Sequence, residues 1–171
     1  YACDETEELL PLEHVLATRL IRKLEDVRLA GQSELAKYLL PDSKAQVTLD
    51  GKQVDTVVVS TQHQDDVDFD KLKKLVEEEV VRPIVPQANN IYVNPTGLFV
   101  QGGFEADTGL TGRKITADNY GPQVPVGGGA FSGKDATKVD RSAAYMARYL
   151  ATEYLKKYNA KEVIVKLAYA I

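Results

Sequence analysis

The chain has 171 residues, 44% hydrophobic and 27% charged, with a net charge of −4. That length suffices for an ordinary domain with its own core, and the composition is that of a soluble globular protein. The acidic balance excludes a global basic field that would recruit nucleic acid or an anionic membrane, so any phosphate site has to be a local cationic cluster. A single cysteine, Cys3, excludes an internal disulfide, suits a reducing cytosol and reads as an inert buried thiol. No stretch reads as a signal peptide or as an apolar run long enough to span a bilayer. The opening Tyr-Ala-Cys-Asp-Glu-Thr lacks an initiator methionine, and the end at Ile171 falls at an apolar stretch that reads as a strand. Both ends suggest a piece of something longer.

Pro11 to Leu29 reads as an amphipathic helix, with Val15, Leu16, Leu20, Ile21, Leu24 and Val27 at helical spacing. Pro11 suits the first turn and Gly31 a stop. Residues 32–44 form a looser segment ending in Pro41-Asp42-Ser43-Lys44, just before a hairpin of Gln46–Leu49, a turn at Asp50-Gly51, and Val54–Ser60. Val57-Val58-Val59 predicts a buried strand. Phe69 to Val81 predicts a second helix, opened by acidic residues and stopped before Pro83, with Glu77-Glu78-Glu79 on a solvated face. Ile91-Tyr92-Val93 and Phe99-Val100 read as short strands around the turn Asn94-Pro95-Thr96-Gly97. Residues 102–133 are rich in glycine and poor in periodicity, apart from a possible strand near Ile115; a loop region of that length is usually functional or disordered. A last helix, Asp140 to Tyr158, carries Ala143, Ala144, Ala147, Leu150 and Ala151 on a small-residue face. Val163 to Leu167 closes as a strand.

Four segments combine glycine or a turn with groups that could do chemistry. These are Pro41–Lys44, Asn94–Phe99, the run Asp107-Thr108-Gly109-Leu110-Thr111-Gly112-Arg113-Lys114, and the run from Gly127 to Asp140. In the last, three consecutive glycines leave bare backbone, and Lys134, Asp135, Lys138 and Asp140 follow at short spacing. Amides and ammonium groups suit a polyphosphate, while carboxylates suit its cation. Gly128 to Lys134 fits G-x-x-x-x-G-K, but Asp135 stands where a P-loop needs Ser or Thr to hold magnesium. His14 and His63 lie far apart, so no Cys/His array for zinc is present. No G-x-S-x-G elbow occurs either. His63 reads as a hydrogen-bonded structural residue, and His14 as surface or interface. Phe99 reads as core on periodicity alone. Cations beside glycine-rich turns, without an evident nucleophile or base, point to catalysis by charge stabilisation, as in displacement of a polyphosphate leaving group.

Together these segments resemble the S-adenosylmethionine synthetase (methionine adenosyltransferase) family. Its Gly-Leu-Thr-Gly-Arg-Lys-Ile motif stands at Gly109–Ile115. Its Gly-Gly-Gly-Ala-Phe-Ser-Gly-Lys-Asp motif, with the following Thr-Lys-Val-Asp-Arg-Ser, stands at 127–142 around a freely varying Ala136. Asn94-Pro95-Thr96-Gly97, Ser60-Thr61-Gln62-His63 and the opening Tyr-Ala-Cys-Asp-Glu-Thr also look like family signatures. Three departures mark a divergent member. Leu98 replaces the usual arginine of Asn-Pro-Thr-Gly-Arg-Phe. Pro122–Val126 replaces a Gly-containing segment that ends in His. Phe104-Glu105-Ala106 replaces the common Gly-Pro-x-Gly.

The resemblance implies an α+β fold, a segment of a three-domain architecture in which mixed β-sheets pack with α-helices. Residues 1–100, approximately, would be the remainder of one α+β domain. Residues 101–150 would be the glycine-rich nucleotide- and polyphosphate-binding segment of a second, and 151–171 a helix end and strand leading into the next. The family's Gly-Asp-Gln-Gly and His-Pro-Asp-Lys motifs would lie upstream of Tyr1, so the segment alone is expected to be an incomplete enzyme.

By resemblance, Asp42, Ser43, Lys44, Leu98, Phe99, Asp107, Arg113, Lys114, Ala130 and Lys134 would contact ATP, with Phe99 packing on adenine and position 98 contacting through its backbone. Asp107 and Lys138 would meet methionine, and Asp140 would bind magnesium. Arg113, Lys114, Lys134 and Lys138 would be the catalytic cations. Mg2+ and K+ are the implied cofactors. The implied partners are ATP, L-methionine and the protein itself as a homodimer or dimer of dimers in the cytoplasm, with no nucleic acid and no membrane. The implied activity joins methionine to ATP and hydrolyses the displaced triphosphate to phosphate and pyrophosphate. A P-loop-like NTPase and a non-catalytic regulatory relative that keeps the nucleotide contacts are the alternatives.

Overall fold

In the computed structural model, residues 1–170 are described; the end of the apolar stretch at Ile171 lies outside them. The fold is α+β, and the chain divides into two compact units, Val15–Thr108 and a second made of Tyr1–His14 with Gly109–Ile171.

The unit Val15–Thr108 is built on helix α1 (Leu12–Ala30, its first three residues counted with the other unit) and a three-stranded sheet. The predicted apolar spacing holds: Val15, Leu16, Leu20 and Leu24 are buried. Pro11 stands immediately before the helix, and Gly31 ends it at φ +63°, a left-handed conformation that costs glycine little. Strands β2 (Leu39–Asp50) and β3 (Gln53–His63) pair antiparallel through a two-residue loop, Gly51-Lys52. The first strand therefore begins well before Gln46, and Pro41–Lys44 lies inside it rather than ahead of it. The ladder is interrupted between Leu39 and Ser43, and that irregularity accommodates a proline with no N–H to donate. Val57, Val59, Thr61 and His63 alternate into the interior, with Val58 between them half-buried.

Helix α2 (Phe69–Val76) starts on the Asp68 side chain, which accepts the N–H groups of Asp70 and Lys71. The helix was expected to end before Pro83. Instead a π-helical turn over Glu77–Val81 carries the chain into a short helix α3 (Arg82–Ile84). The wider turn lets the Arg82 N–H reach the Glu77 carbonyl, and Pro83 falls in the first turn of the new helix, where a missing N–H is harmless. Glu77 is not merely solvated, since it pairs with Arg82 at 2.7 Å. Strand β4 (Asn90–Val93) then adds parallel to β3, Val57–Val59 facing Ile91–Val93. The expected strand at Phe99-Val100 does not form, because both backbone groups of Phe99 go to His63, one of them to its ring.

The other unit holds strand β1 (Ala2–Cys3), helix α4 (Ile115–Asp118), helix α5 (Val139–Tyr158) and strand β5 (Glu162–Val163), with β1 and β5 antiparallel. Ala2, Ala151 and Leu155 form its buried cluster, joined by Leu9, Ala160, Val163 and Val165. The predicted last helix is present, and Ala151 on its small-residue face is fully buried. The last strand is shorter than Val163–Leu167, because β1 offers it a partner only two residues long. Ile115 opens a helical turn rather than a strand, closed by Asn119, whose N–H and side-chain amide both donate to the Ile115 carbonyl. Cys3 is buried, and burial pushes its thiol pKa up, as suits an inert thiol. No helix among the described residues is long and apolar enough to cross a membrane.

Candidate functional site

The named residues fall into both units. Asp42, Ser43, Lys44, Leu98, Phe99 and Asp107 belong to Val15–Thr108; Arg113, Lys114, Ala130, Lys134, Lys138 and Asp140 belong to the other.

Within Val15–Thr108, Asp42 and Phe99 are drawn together by hydrogen bonds through one stretch of β3. The Asp42 N–H donates to Gln62 Oε1 at 3.3 Å, and Asp42 Oδ2 accepts the Gly103 N–H at 2.9 Å. The Phe99 N–H donates to His63 Nε2 at 3.0 Å, and its carbonyl accepts the His63 N–H at 2.9 Å. The chain turns into this region at Asn94-Pro95-Thr96-Gly97, where the Gly97 N–H closes on the Asn94 carbonyl at 3.0 Å. Leu98 follows the turn with its side chain 67% exposed, so a side chain at this position is free to face a ligand or solvent. Phe99 beside it is half-buried.

In the other unit the two glycine motifs pack against each other. A Cβ added at Gly112 would stand 2.8 Å from the Ala130 Cβ, so only glycine allows the Arg113-Lys114 loop this close to the Gly127–Gly133 loop. Gly129 sits equally tightly on the first turn of α5, where an added Cβ would meet the Asp140 carboxyl carbon at 2.5 Å. Gly127 and Gly128, by contrast, face open space. Lys134 Nζ donates to Asp140 Oδ2 at 2.7 Å, which links loop to helix. Arg141 adds a hydrogen bond from its guanidinium to the Lys134 carbonyl. Lys138 is the residue before α5, in extended conformation, and its carbonyl receives the Arg141 and Ser142 N–H groups.

Asp135 caps the turn between the two lysines. Its Oδ1 accepts the Thr137 N–H at 2.9 Å and the Thr137 hydroxyl, and these bonds lower its carboxyl pKa. No strand leads into the loop across residues 120–126, and α5 starts five residues beyond Lys134. A cleft of about 250 Å³ lies beside the loop, bounded by Gly127–Gly129, Asp140, Ala143 and Ala147 among others.

Sequence reasoning missed the residues that brace these loops. Gln62 and Asn94 are polar and buried, and neither had been given a role of its own. Arg148 donates to the carbonyls of Tyr1 (2.6 Å), Leu9 (3.0 Å) and Glu8 (2.7 Å), tying α5 to the opening segment. A lone arginine on a helix carries no signal for such a role. Among the described residues, no group of three or more His, Cys, Asp or Glu side chains could hold a metal ion. Asp140 could supply a single carboxylate, and magnesium in phosphate sites uses only one or two, so the residues present are compatible with that ion.

Fold and loops thus define an α+β chain with two interlocked glycine-rich loops that carry cations. A model described as S-adenosylmethionine synthetase, central domain, matches residues 1–99, and one described as S-adenosylmethionine synthetase, C-terminal domain, matches residues 101–171. The chain is 50% identical to an S-adenosylmethionine synthase of Lacticaseibacillus casei over 182 aligned positions, covering 100% of this chain and 45% of that protein. It is 48% identical to an S-adenosylmethionine synthase of Petrotoga mobilis with the same coverage. The chain belongs to the S-adenosylmethionine synthetase family and spans a little under half the length of these relatives.

Proposed function

We propose that the protein carrying this chain forms S-adenosylmethionine from ATP and L-methionine and hydrolyses the displaced triphosphate to phosphate and pyrophosphate. The observation that carries this reading is the packing of Gly112 on Ala130, which sets Arg113-Lys114 beside the loop that holds Lys134. In the reaction the methionine sulfur forms a bond to the ribose C5′, the C5′–O bond breaks, and its electron pair leaves with the triphosphate. A neutral thioether has no proton to lose at that step, so no general base is needed. Charge stabilisation of the leaving group and alignment of sulfur with C5′ carry the rate.

Arg113, Lys114, Lys134 and Lys138 are assigned to the polyphosphate, with Lys138 also beside methionine. Bare backbone at Gly127 and Gly128 lets phosphate oxygens approach amides, and Ala130 is assigned to ATP beside them. Asp42, Ser43, Lys44, Leu98 and Phe99 are assigned to the nucleotide, and Asp107 to nucleotide and methionine together. Asp140 would hold magnesium, which when bound neutralises phosphate charge; potassium rests on family resemblance alone. So do the homodimer or dimer of dimers and the cytoplasmic location. The Lys134–Asp140 pair supports the assignment of both: it keeps a cation and an anion side by side at the loop, where Lys134 would meet a phosphate and Asp140 would offer its carboxylate to magnesium.

The P-loop reading is the weaker one. The stretch before the glycines forms no strand, and Asp135 is engaged as a turn cap. The test is Lys134→Ala in the full-length protein, meaning this chain with its flanking sequence. Loss of one preorganised charge stabiliser lowers kcat about 10²–10³-fold. A near-normal kcat sinks the assignment.

A further inference from the structure

We propose that His63 is a positioning residue for the nucleotide, holding Phe99 in place through both of that residue's backbone polar groups; the proposal rests on the reading of Phe99 as the ring that packs on adenine. His63 is fully buried. Its Nε2 accepts the Phe99 N–H at 3.0 Å, and its own N–H donates to the Phe99 carbonyl at 2.9 Å. Its Nδ1 lies 2.7 Å from the Gln64 carbonyl, an acceptor. A ring nitrogen that faces a carbonyl must donate and one that faces an N–H must accept, so the imidazole is neutral with its hydrogen on Nδ1. One side chain therefore fixes the backbone of a residue 36 positions away.

The neighbours of His63 extend the same device. Asn94 replaces a strand partner for Thr61, accepting its N–H at 2.8 Å and donating to its carbonyl at 3.0 Å. This locks the end of β3 where its ladder with β4 has stopped. Gln62 Nε2 donates to the Val100 carbonyl at 3.0 Å while Oε1 accepts the Asp42 N–H. Gly102 packs against both the Phe99 ring and Gln62: an added Cβ would lie 2.9 Å from Phe99 Cε2 and 2.8 Å from Gln62 Cδ. Gly102 is extended, with φ −156°, so it is glycine for want of space and not for its backbone angle. Thr61-Gln62-His63 is thus a polar brace that fixes the backbone of Phe99 and Val100, and through it where the Phe99 side chain starts. None of its three side chains has to touch the nucleotide.

The experiment compares His63→Asn, His63→Gln, Gly102→Ala and Phe99→Ala in the full-length protein, reading amide hydrogen exchange at Phe99 and the KM for ATP and for methionine. Asn keeps a donor for Gln64 but does not reach Phe99, whereas Gln places an oxygen near the former Nε2 and restores the acceptor. In His63→Asn the Phe99 amide exchanges roughly tenfold faster, as for loss of one buried hydrogen bond, and KM for ATP rises by a similar factor with KM for methionine unchanged. His63→Gln recovers most of both. Unchanged Phe99 exchange in folded His63→Asn overturns the tether. A raised KM for ATP in Phe99→Ala but not in His63→Asn overturns the positioning role while leaving the adenine contact standing. An unchanged KM in Phe99→Ala overturns the adenine reading itself, and the proposal with it. Should the histidine variants not fold, Gly102→Ala decides: an ATP-selective rise in KM supports the brace, and wild-type KM for ATP overturns it.

Discussion

The three consecutive glycines are alike in sequence but unlike in space, and replacing each by alanine separates what the fold needs from what the ligand needs. At Gly129 the new Cβ would stand 2.7 Å from the Asp140 Cβ, an atom fixed by the backbone of α5. Carbon contacts settle near 3.5 Å or beyond, so loop and helix have to part by about 0.8 Å. Overpacking of that kind costs about 1–3 kcal/mol. It also separates Lys134 from Asp140, now 2.7 Å apart, and displaces the lysine from its assigned phosphate. A misplacement near 1 Å costs roughly 10²-fold in rate. Gly127 and Gly128 have nothing within 4 Å of an added Cβ and no positive φ, so alanine there leaves stability within about 0.5 kcal/mol. It nonetheless raises the KM for ATP, because the methyl group stands between phosphate and backbone. The assay is thermal unfolding beside steady-state kinetics of the full-length protein. The expected pattern is loss of Tm and turnover in Gly129→Ala, with unchanged Tm and weakened ATP use in the other two. Equal Tm losses in all three, or wild-type Tm and kcat in Gly129→Ala, refute the reasoning.

Two further outcomes follow from the same geometry. Burial lowers the His14 pKa below its ordinary value, so the folded state favours the neutral ring. The stability that His14 contributes is present above the unfolded-state pKa near 6.5 and is lost as pH falls through the lower folded value; wild type therefore loses more Tm between pH 7.5 and 5.5 than His14→Gln does, and equal losses refute it. Asp140→Asn removes the partner of Lys134 and the one carboxylate assigned to magnesium, so a magnesium titration of activity shifts to higher concentration by about tenfold, the effect of losing one ligand-level contact. An unshifted titration removes Asp140 from the metal.

Helix α1 was legible because its apolar residues repeat with helical period and its ends carry Pro11 and Gly31. Of the six apolar positions read from the spacing, Val15, Leu16, Leu20 and Leu24 are buried and Ile21 and Val27 are half-buried. The start of β2 was not legible: Pro41, Asp42 and Lys44 have loop composition, and only pairing with β3 across an interruption makes them a strand. Pro83 is a sound stop signal for an α-helix, yet a π-helical turn ahead of it moved the break by three residues. The short apolar runs at Ile115 and Val163 carried no periodicity that separates helix from strand, and in each case local partners decided. At the candidate site the glycine motifs and their cations stood out in the sequence. Which glycine touches Asp140, and that His63 reaches Phe99, depend on contacts between distant segments that no local pattern encodes.

The central claim is tested most directly by incubating the full-length protein with ATP, L-methionine, Mg2+ and K+ and following the products by mass spectrometry. S-adenosylmethionine appearing with equal amounts of phosphate and pyrophosphate, and no ADP, is the predicted result. ADP and phosphate formed without S-adenosylmethionine point to an NTPase and contradict the account, as does ATP bound with no product at all.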